Sequence, residues 1–302
     1  MTYVVAGGSG YLGGHLVGAL ASRGEEVLVV DRAPPRAGVP HLVRDLREPL
    51  DLDVREPRIY HLAASPIVRT TSEEARRRVE EELRITVNIA ELARLRDAEL
   101  LVYVSSPAVY GNAPTPTPED APRRPISHHG LIKAMSEDVV EFYSRVYGIR
   151  GLIVRLTNVV GGAMTHGVVL DFVRKLRSNP GELEVYGDGT QGRSFLYVDD
   201  AIAALEALEG SGAEGVYNAG NSDWITVREV AEIVSSAMGL RPALRFNRCV
   251  MDIKDALGSE GWPGDIRLVF PDSSRLRSLG WSPRMDSRAA VARAVGDLLG
   301  GR

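Results

Sequence analysis

The stretch YVVAGGSGYLGGHLVGAL, Tyr3 to Leu20, constrains this chain more than any other. An apolar, strand-like run leads into Gly7, Gly8, Gly10 and Gly13, and a helical pattern follows at once. The spacing satisfies both G-x-x-G-x-x-G and G-x-G-x-x-G. Residues without side chains permit so tight a turn and let a pyrophosphate approach the backbone, while the helix behind supplies amides and a favourable dipole. Gly7, Gly10, Tyr11, Leu12 and Gly13 are therefore candidate phosphate-loop residues. The next strand pattern, EVLVVD, ends in Asp31, about twenty residues on, where a carboxylate can hold both hydroxyls of a ribose. Asp31 would repel a 2′-phosphate, which points to NAD, while Arg32 and Arg36 keep NADP open as an alternative.

Short apolar runs then alternate with amphipathic helical stretches: EVLVV, HLVR, RIYHLAA, a long helix over about Glu73 to Arg96, and LLVYVSS. Such alternation implies crossover units and a parallel sheet, so the predicted fold is α/β, a doubly wound (Rossmann) parallel sheet with a smaller mixed C-terminal substrate region. The proline-rich segment SSPAVYGNAPTPTPEDAPRRP reads as a long surface loop. The helix after it carries Leu131, Met135, Val139, Phe142 and Val146 on one stripe and Ile132, Val140 and Tyr143 on another, which suggests burial against the sheet and against a partner subunit. Beyond Gly161 the elements become shorter and mixed. The expected division is a dinucleotide-binding domain over 1–162, rejoined by about 193–222, and a substrate domain over 163–192 and 223–302.

The composition excludes several classes. A net charge of −4 leaves no basic footprint for nucleic acid, and the arginines sit among acids, as in SEEARRRVEEELR. No run approaches the roughly 20 apolar residues that span a bilayer, no charged leader precedes the first strand, and the chain is read as cytoplasmic and complete. The lone Cys249 permits no internal disulfide and is expected to pack. The histidines His15, His41, His61, His128 and His166 show no metal-ligand spacing, so no metal is expected.

The pieces AGGSGYLG, VVD, RDL, YHLAAS, VYVSSPAVYG, HHGLIKAMSED, VRLTNVVGG, VYGDGTQGRSFLYVDDAIAAL, VYNAGN and PGDI run nearly end to end. In order and spacing the chain resembles the extended short-chain dehydrogenases/reductases and, within them, the NAD-dependent nucleotide-sugar epimerase/dehydratase group of the UDP-galactose 4-epimerase type. The resemblance implies NAD as cofactor, a nucleotide-sugar substrate and a homodimer. It also implies that Asp45 and Leu46 flank the adenine, that Ala63 and Ala64 line the cofactor path, and that Lys133 holds the nicotinamide ribose. Ser106 would hydrogen-bond the reacting hydroxyl, Asn158 and Arg193 would grip the diphosphate, and Tyr186 would lie near the nucleobase.

Three positions depart from the family pattern at sites of chemistry. His129 stands where the family has its acid/base tyrosine, four residues before the lysine. Glu82 replaces an asparagine of the long helix. Trp262 replaces the arginine before PGD, and Arg267 is the candidate substitute. In the phosphate loop, Ala6 replaces a threonine. Beside a lysine ammonium an imidazole is pushed toward its neutral form, from an ordinary pKa of about 6.5, and neutral imidazole is a competent base. Its outer nitrogen reaches about 2 Å less far than a tyrosine oxygen, a gap that a bridging water can close. Tyr110 is a second phenol near the proline-rich loop. The expected activity is UDP-glucose/UDP-galactose 4-epimerisation by transient hydride transfer through a 4-keto sugar. The alternatives are a silent member that binds NAD or a sugar nucleotide without turnover, and a short-chain reductase or dehydratase with another substrate.

Overall fold

The structure is a computed structural model and describes residues 2–65, 72–247 and 264–300; Cys249 and Trp262 lie outside the described residues. In chain order its elements are β1 (Thr2–Ala6), α1 (Tyr11–Ser22), β2 (Glu26–Asp31), β3 (His41–Val43), β4 (Arg58–His61), α2 (Ser72–Leu95), β5 (Leu100–Ser105), α3 (His128–Tyr147), β6 (Arg150–Leu156), β7 (Asn158–Val160), α4 (Val168–Ser178), β8 (Glu182–Tyr186), β9 (Gly192–Arg193), β10 (Phe195–Tyr197), α5 (Val198–Gly210), β11 (Gly215–Ala219), β12 (Ile225–Thr226), α6 (Val227–Ala237), β13 (Ala243–Asn247), β14 (Leu268–Val269), α7 (Ser274–Arg277) and α8 (Ser287–Leu299).

Two compact units result. The first comprises Met1–Ser106, Leu131–Arg155 and Leu205–Tyr217; the second comprises Pro107–Gly130, Leu156–Ala204 and Asn218–Arg302. A seven-stranded sheet in the order β11-β6-β5-β4-β1-β2-β3 is the frame of the first. The pairs β1–β2, β2–β3, β1–β4, β4–β5 and β5–β6 are all parallel. This is the expected α/β fold, with the strand order reversing between β1 and β4. In such sheets ligands sit beyond the carboxyl ends of the strands at the reversal. The strands are near-continuous apolar runs, because helices cover the sheet: Val4, Val5, Val29, Val30, Ile59, Leu100 and Val102 are all at most 1% exposed. Ile89, Leu92 and Ala93 of α2 and Val140 of α3 join the core cluster formed with Val4, Ile59, Leu101 and Ile153.

On α3, Ile132 and Val140 are buried, whereas Leu131, Met135, Phe142 and Val146 are between 36% and 51% exposed. The helix thus gives one apolar stripe to the core and presents the other outward.

The second unit builds small sheets rather than one large one: β10 with β7, β13 with β8, and the mixed trio β12-β9-β14. Helices α4 and α6 bury Val169, Phe172, Val173 and Leu176, and Val230, Ala231 and Val234. A capping box fixes the start of α6, in which Thr226 accepts from the Glu229 amide and Glu229 accepts from the Thr226 amide. The proline-rich segment lies at the surface, with Asn112, Pro114, Pro116, Pro118 and Pro122 exposed, and is anchored at two points. Tyr110 and Thr117 are buried, the Thr117 N–H donates to Phe270 O at 3.0 Å, and the Asp272 N–H donates to Thr117 O at 2.8 Å. Prolines keep an α-helix out of it, and the Thr117 amide finds its acceptor far along the chain, on Phe270.

Candidate active site

In the first unit the glycine turn connects β1 to α1. Gly7 has φ of 86°, and a Cβ on it would stand 2.5 Å from the Ala63 nitrogen. A Cβ on Gly13 would stand 2.2 Å from Gly7 O. Both positions therefore require glycine, one for left-handed backbone and one for helix–strand contact. Tyr11 and Leu12 open α1, whose N-cap, Gly10, contributes no side-chain hydrogen bond and whose first turn holds no acid. The helix start is left to the backbone amides.

Asp31 closes β2 beside this turn. Its Oδ2 accepts the Ser9 N–H at 3.0 Å and its Oδ1 the Arg32 N–H at 2.6 Å, which orients the carboxylate at the loop. Arg32 is exposed. Asp45 is engaged by Arg47 through both carboxylate oxygens, at 2.5 to 3.0 Å, and this guanidinium lowers it to about 2. Leu46 is buried, and its carbonyl accepts from Asn88 Nδ2 at 2.9 Å. Ala63 is half-buried and Ala64 exposed, just past the end of β4, and Ser106 is half-buried just past the end of β5. Gly7, Asp31, Ala63, Ala64 and Ser106 thus all lie at the carboxyl ends of parallel strands.

Lys133 is 7% exposed, and its Nζ donates to Val104 O at 2.8 Å and stands 4.8 Å from the centroid of the Tyr103 ring. Burial draws it down to about 8, against the opposing pull of Glu82 and then Glu137. Glu82 is itself buried, and burial raises its pKa, against the pull of Lys133 and then Arg78. His61 at the end of β4 is 2% exposed; its Nε2 lies 3.0 Å from Thr86 Oγ1, and burial, then Lys133, hold it down at about 3. It is a neutral imidazole at ordinary pH. Glu137 and Arg155 form a two-pronged buried ion pair at 3.0 and 2.7 Å, and Ser105 Oγ donates to the same carboxylate.

In the second unit, Ser127 Oγ accepts the Gly130 N–H at 3.1 Å at the start of α3, and a Cβ on Gly130 would stand 2.4 Å from Ala108 O. His129 is half-buried in that first turn. Tyr110 donates to Asn218 Oδ1 at 2.8 Å, while Asn218 Nδ2 donates to Thr117 O and Asp272 O, so this phenol serves a buried structural network. Asn158 Nδ2 donates to Ser194 O at 3.2 Å. Arg193 is ion-paired to Asp265 at 2.5 Å and also donates to Gly192 O; burial lowers its pKa and Asp265 opposes that. Tyr186 lies under Lys175, whose Nζ is 4.4 Å from the ring centroid, and Arg267 is exposed.

Several participants were not foreseen. Glu137 follows Lys133 by one helical turn, a spacing that signals a shared face, but its partner Arg155 is supplied by β6. The clasp of Asp265 on Arg193, 72 residues away, has no local signal at all. Among the described residues, no group of three or more His, Cys, Asp or Glu side chains could hold a metal ion, and no helix is long and apolar enough to cross a membrane.

Comparison with known proteins agrees with this architecture. The chain is 31% identical to UDP-glucuronic acid decarboxylase 1 of Arabidopsis thaliana over 97% of its own length and 69% of that protein's. A crystal structure of a UDP-galactose 4-epimerase superimposes with a TM-score of 0.85 at 36% identity, covering 99% of both chains. The UDP-glucose 4-epimerase of Thermus thermophilus, crystallised with NAD, superimposes with a TM-score of 0.84 at 29% identity, covering all of both chains. The NAD dependent epimerase/dehydratase family model matches residues 3–220. With a glycine turn closed on Ala63, a carboxylate held at the end of β2 and a buried lysine on α3, this chain belongs to the NAD dependent epimerase/dehydratase family.

Proposed function

We propose that this chain is an NAD-dependent nucleotide-sugar epimerase that interconverts UDP-glucose and UDP-galactose through a 4-keto sugar. The observation that carries the reading is the buried Lys133, which lies one helical turn after His129 in a chain 36% identical to a UDP-galactose 4-epimerase. The residues present fit a dinucleotide: the turn is so tight that a Cβ at Gly7 or Gly13 would collide with main chain, the start of α1 has no side-chain cap, and Asp31 is held beside the turn by the Ser9 N–H. Gly7, Gly10, Tyr11, Leu12 and Gly13 would hold the pyrophosphate, Asp31 and Arg32 a ribose, Asp45 and Leu46 the adenine, and Ala63 and Ala64 the path between them. Lys133 would hold the nicotinamide ribose. When bound, NAD supplies the hydride acceptor for C4 of the sugar and the donor for its return.

The chain's own residues manage the proton and the pose. Ser106 hydrogen-bonds the 4-hydroxyl. Neutral His129 takes the hydroxyl proton, through a bridging water where its shorter reach requires one, and gives it back after the ketone has turned over. Asn158, Arg193 and Arg267 hold the diphosphate, and Asp265 orients the Arg193 fork. Tyr186 packs near the nucleobase. Functionally, 1–162 with about 193–222 is the dinucleotide-binding part, and 163–192 with 223–302 the substrate part.

A homodimer is part of the same reading. Leu131, Met135, Phe142 and Val146 on α3, with Val87 and Leu95 on α2, form exposed apolar surface on the first unit, and a two-fold pairing of these helices would cover it. Cytoplasmic localisation completes the proposal, supported by the lone cysteine.

The test is mass spectrometry of ligands released from the purified protein, together with turnover of UDP-glucose and UDP-galactose. Bound NAD and interconversion are expected. Bound NAD with no product from either sugar would leave the silent binding protein instead, and tighter NADP than NAD binding by calorimetry would overturn the reading of Asp31.

A further inference from the structure

The site holds a buried carboxylate where the resembling family uses an amide, and nothing in the proposed reaction yet employs it. Helices α2 and α3 both return antiparallel to parallel strands of one sheet, so they run in the same direction. They touch at Thr86 Oγ1 and Ser136 Oγ, 3.1 Å apart. One turn toward the start of each helix from that contact lie Glu82 and Lys133, which the shared direction brings level on facing sides. Glu82 is 9% exposed and Lys133 7%.

The charges facing Lys133 can be followed element by element. From β4 comes His61, neutral and already bonded to Thr86. From β5 comes the Tyr103 ring, whose hydroxyl burial keeps protonated. Glu137, on α3 itself, is committed to both arms of Arg155 and to Ser105. From α2 come Arg78 and Glu82, which meet through one contact of 3.4 Å. The Ser65 backbone also contributes a hydrogen bond to Glu82. Glu137 is held in its pair with Arg155 and acts on Lys133 less than Glu82 does, so Glu82 is the larger negative charge felt by the buried Lys133. A buried cation without a counter-charge is costly and tends to give up its proton.

We infer that Glu82 is a positioning residue for Lys133: its buried carboxylate supplies the counter-charge that keeps an ammonium inside the first unit, aimed at Val104 O and the ribose. The inference rests on the proposed role of Lys133 in cofactor binding. Only a carboxylate can do this, since an amide at position 82 would fill the same space without the charge.

The chain has three lysines, Lys133, Lys175 and Lys254, so lysine labelled with carbon-13 at Cε gives few signals, and Lys133→Met assigns the one in question. Full-length protein is titrated by NMR. In Glu82→Gln the midpoint of the Lys133 signal should move to lower pH by about one unit or more, whereas Glu82→Asp should keep it near the wild-type value. The alkaline limb of turnover should move with it, and kcat should change more than KM. An unshifted Lys133 midpoint in folded Glu82→Gln overturns the inference, whether or not the protein turns over any sugar. A shifted midpoint in a protein that neither binds NAD nor makes product upholds the counter-charge and defeats the proposed function. Should Glu82→Gln fail to fold, Glu82→Asn, which also removes the charge, serves the same measurement.

Discussion

At its amino end β4 carries Arg58, and at its carboxyl end His61, and the buried polar groups around these two residues are organised differently. Around Arg58, the Glu209 carboxylate accepts from Tyr3 Oη at 2.7 Å, from Tyr60 Oη at 2.8 Å and from Arg58 Nη1 at 2.7 Å. The other arm of Arg58 reaches Glu99 at 2.7 and 3.1 Å. Every strong donor there has an acceptor. Around His61, the Nδ1 atom is buried without a hydrogen-bond partner, Glu82 meets Arg78 only at 3.4 Å, and Lys133 donates to one carbonyl. The first cluster fastens the strands β1 and β4 to the end of α5. The second leaves hydrogen-bonding capacity unspent at the edge of the sheet where ligands of this fold bind. Residues that compromise stability in this way concentrate where chemistry uses them, and perturbed pKa values concentrate with them.

The difference predicts opposite responses to mutation. Lys133→Met should reduce turnover by on the order of a thousandfold, because a charged donor to the cofactor is lost, yet change the melting temperature little, since an apolar chain of similar length replaces a buried charge and Glu82 keeps Arg78 as its counter-charge. Kinetics with thermal melts checks this, and a fall of many degrees would erase the contrast between the two ends. Glu209→Ala should do the reverse. It leaves one arm of Arg58 and two buried phenols without their acceptor and should cost about 3 kcal/mol in urea unfolding, with activity per folded molecule kept.

His129→Tyr sharpens the comparison at the functional end. Recovering about 2 Å of reach at the proton-transfer step should raise epimerase turnover on the order of a hundredfold, measured with UDP-glucose and UDP-galactose. If NAD and substrate bind and nothing is gained, the silent-member reading is strengthened. The smallest effect belongs to His61. Its folded pKa of about 3 lies below the ordinary 6.5 of the unfolded chain, so below pH 6.5 the unfolded state takes up a proton that the folded state refuses. The stability that His61 supports is complete above pH 6.5 and is lost as pH falls from there toward 3, by about 2 kcal/mol at pH 5. Melts at pH 7 and pH 5 should show that loss, and His61→Asn should lessen it.

Much of this molecule was readable before any coordinates. The alternation of apolar runs and helical stretches foretold the parallel sheet, and the glycine spacing with Asp31 foretold the turn beside β2. Each of these depends on residues close in sequence, or on the regular period of one element. The proline-rich loop reads as surface and is exposed at Asn112, Pro114, Pro116 and Pro118, but its anchoring at Thr117, whose N–H donates to Phe270 O and whose carbonyl accepts the Asp272 N–H, has no local signal because both partners lie far along the chain. The outward stripe of α3 could be listed residue by residue, but which of the two stripes faced the core was not decided by periodicity alone, since both are apolar.

By itself the sequence determined where backbone must come close: a Cβ at Gly7 or Gly13 collides with main-chain atoms, so glycine there announces the turn in any chain that folds this way. It determined equally that His129 and Lys133 share a helix. Only the tertiary structure decided which charges meet. That burial and the charge of Glu82 on α2 act in opposition on Lys133 of α3, that Arg155 of β6 claims Glu137 and that Asp265 claims Arg193 depends on how elements pack over tens of residues. The physical reason is range. Steric exclusion acts between neighbours along the chain and leaves its mark in residue type and spacing. The strength of a charge pair is set by distance and by the water removed around it, and both quantities come into existence only when the elements close together.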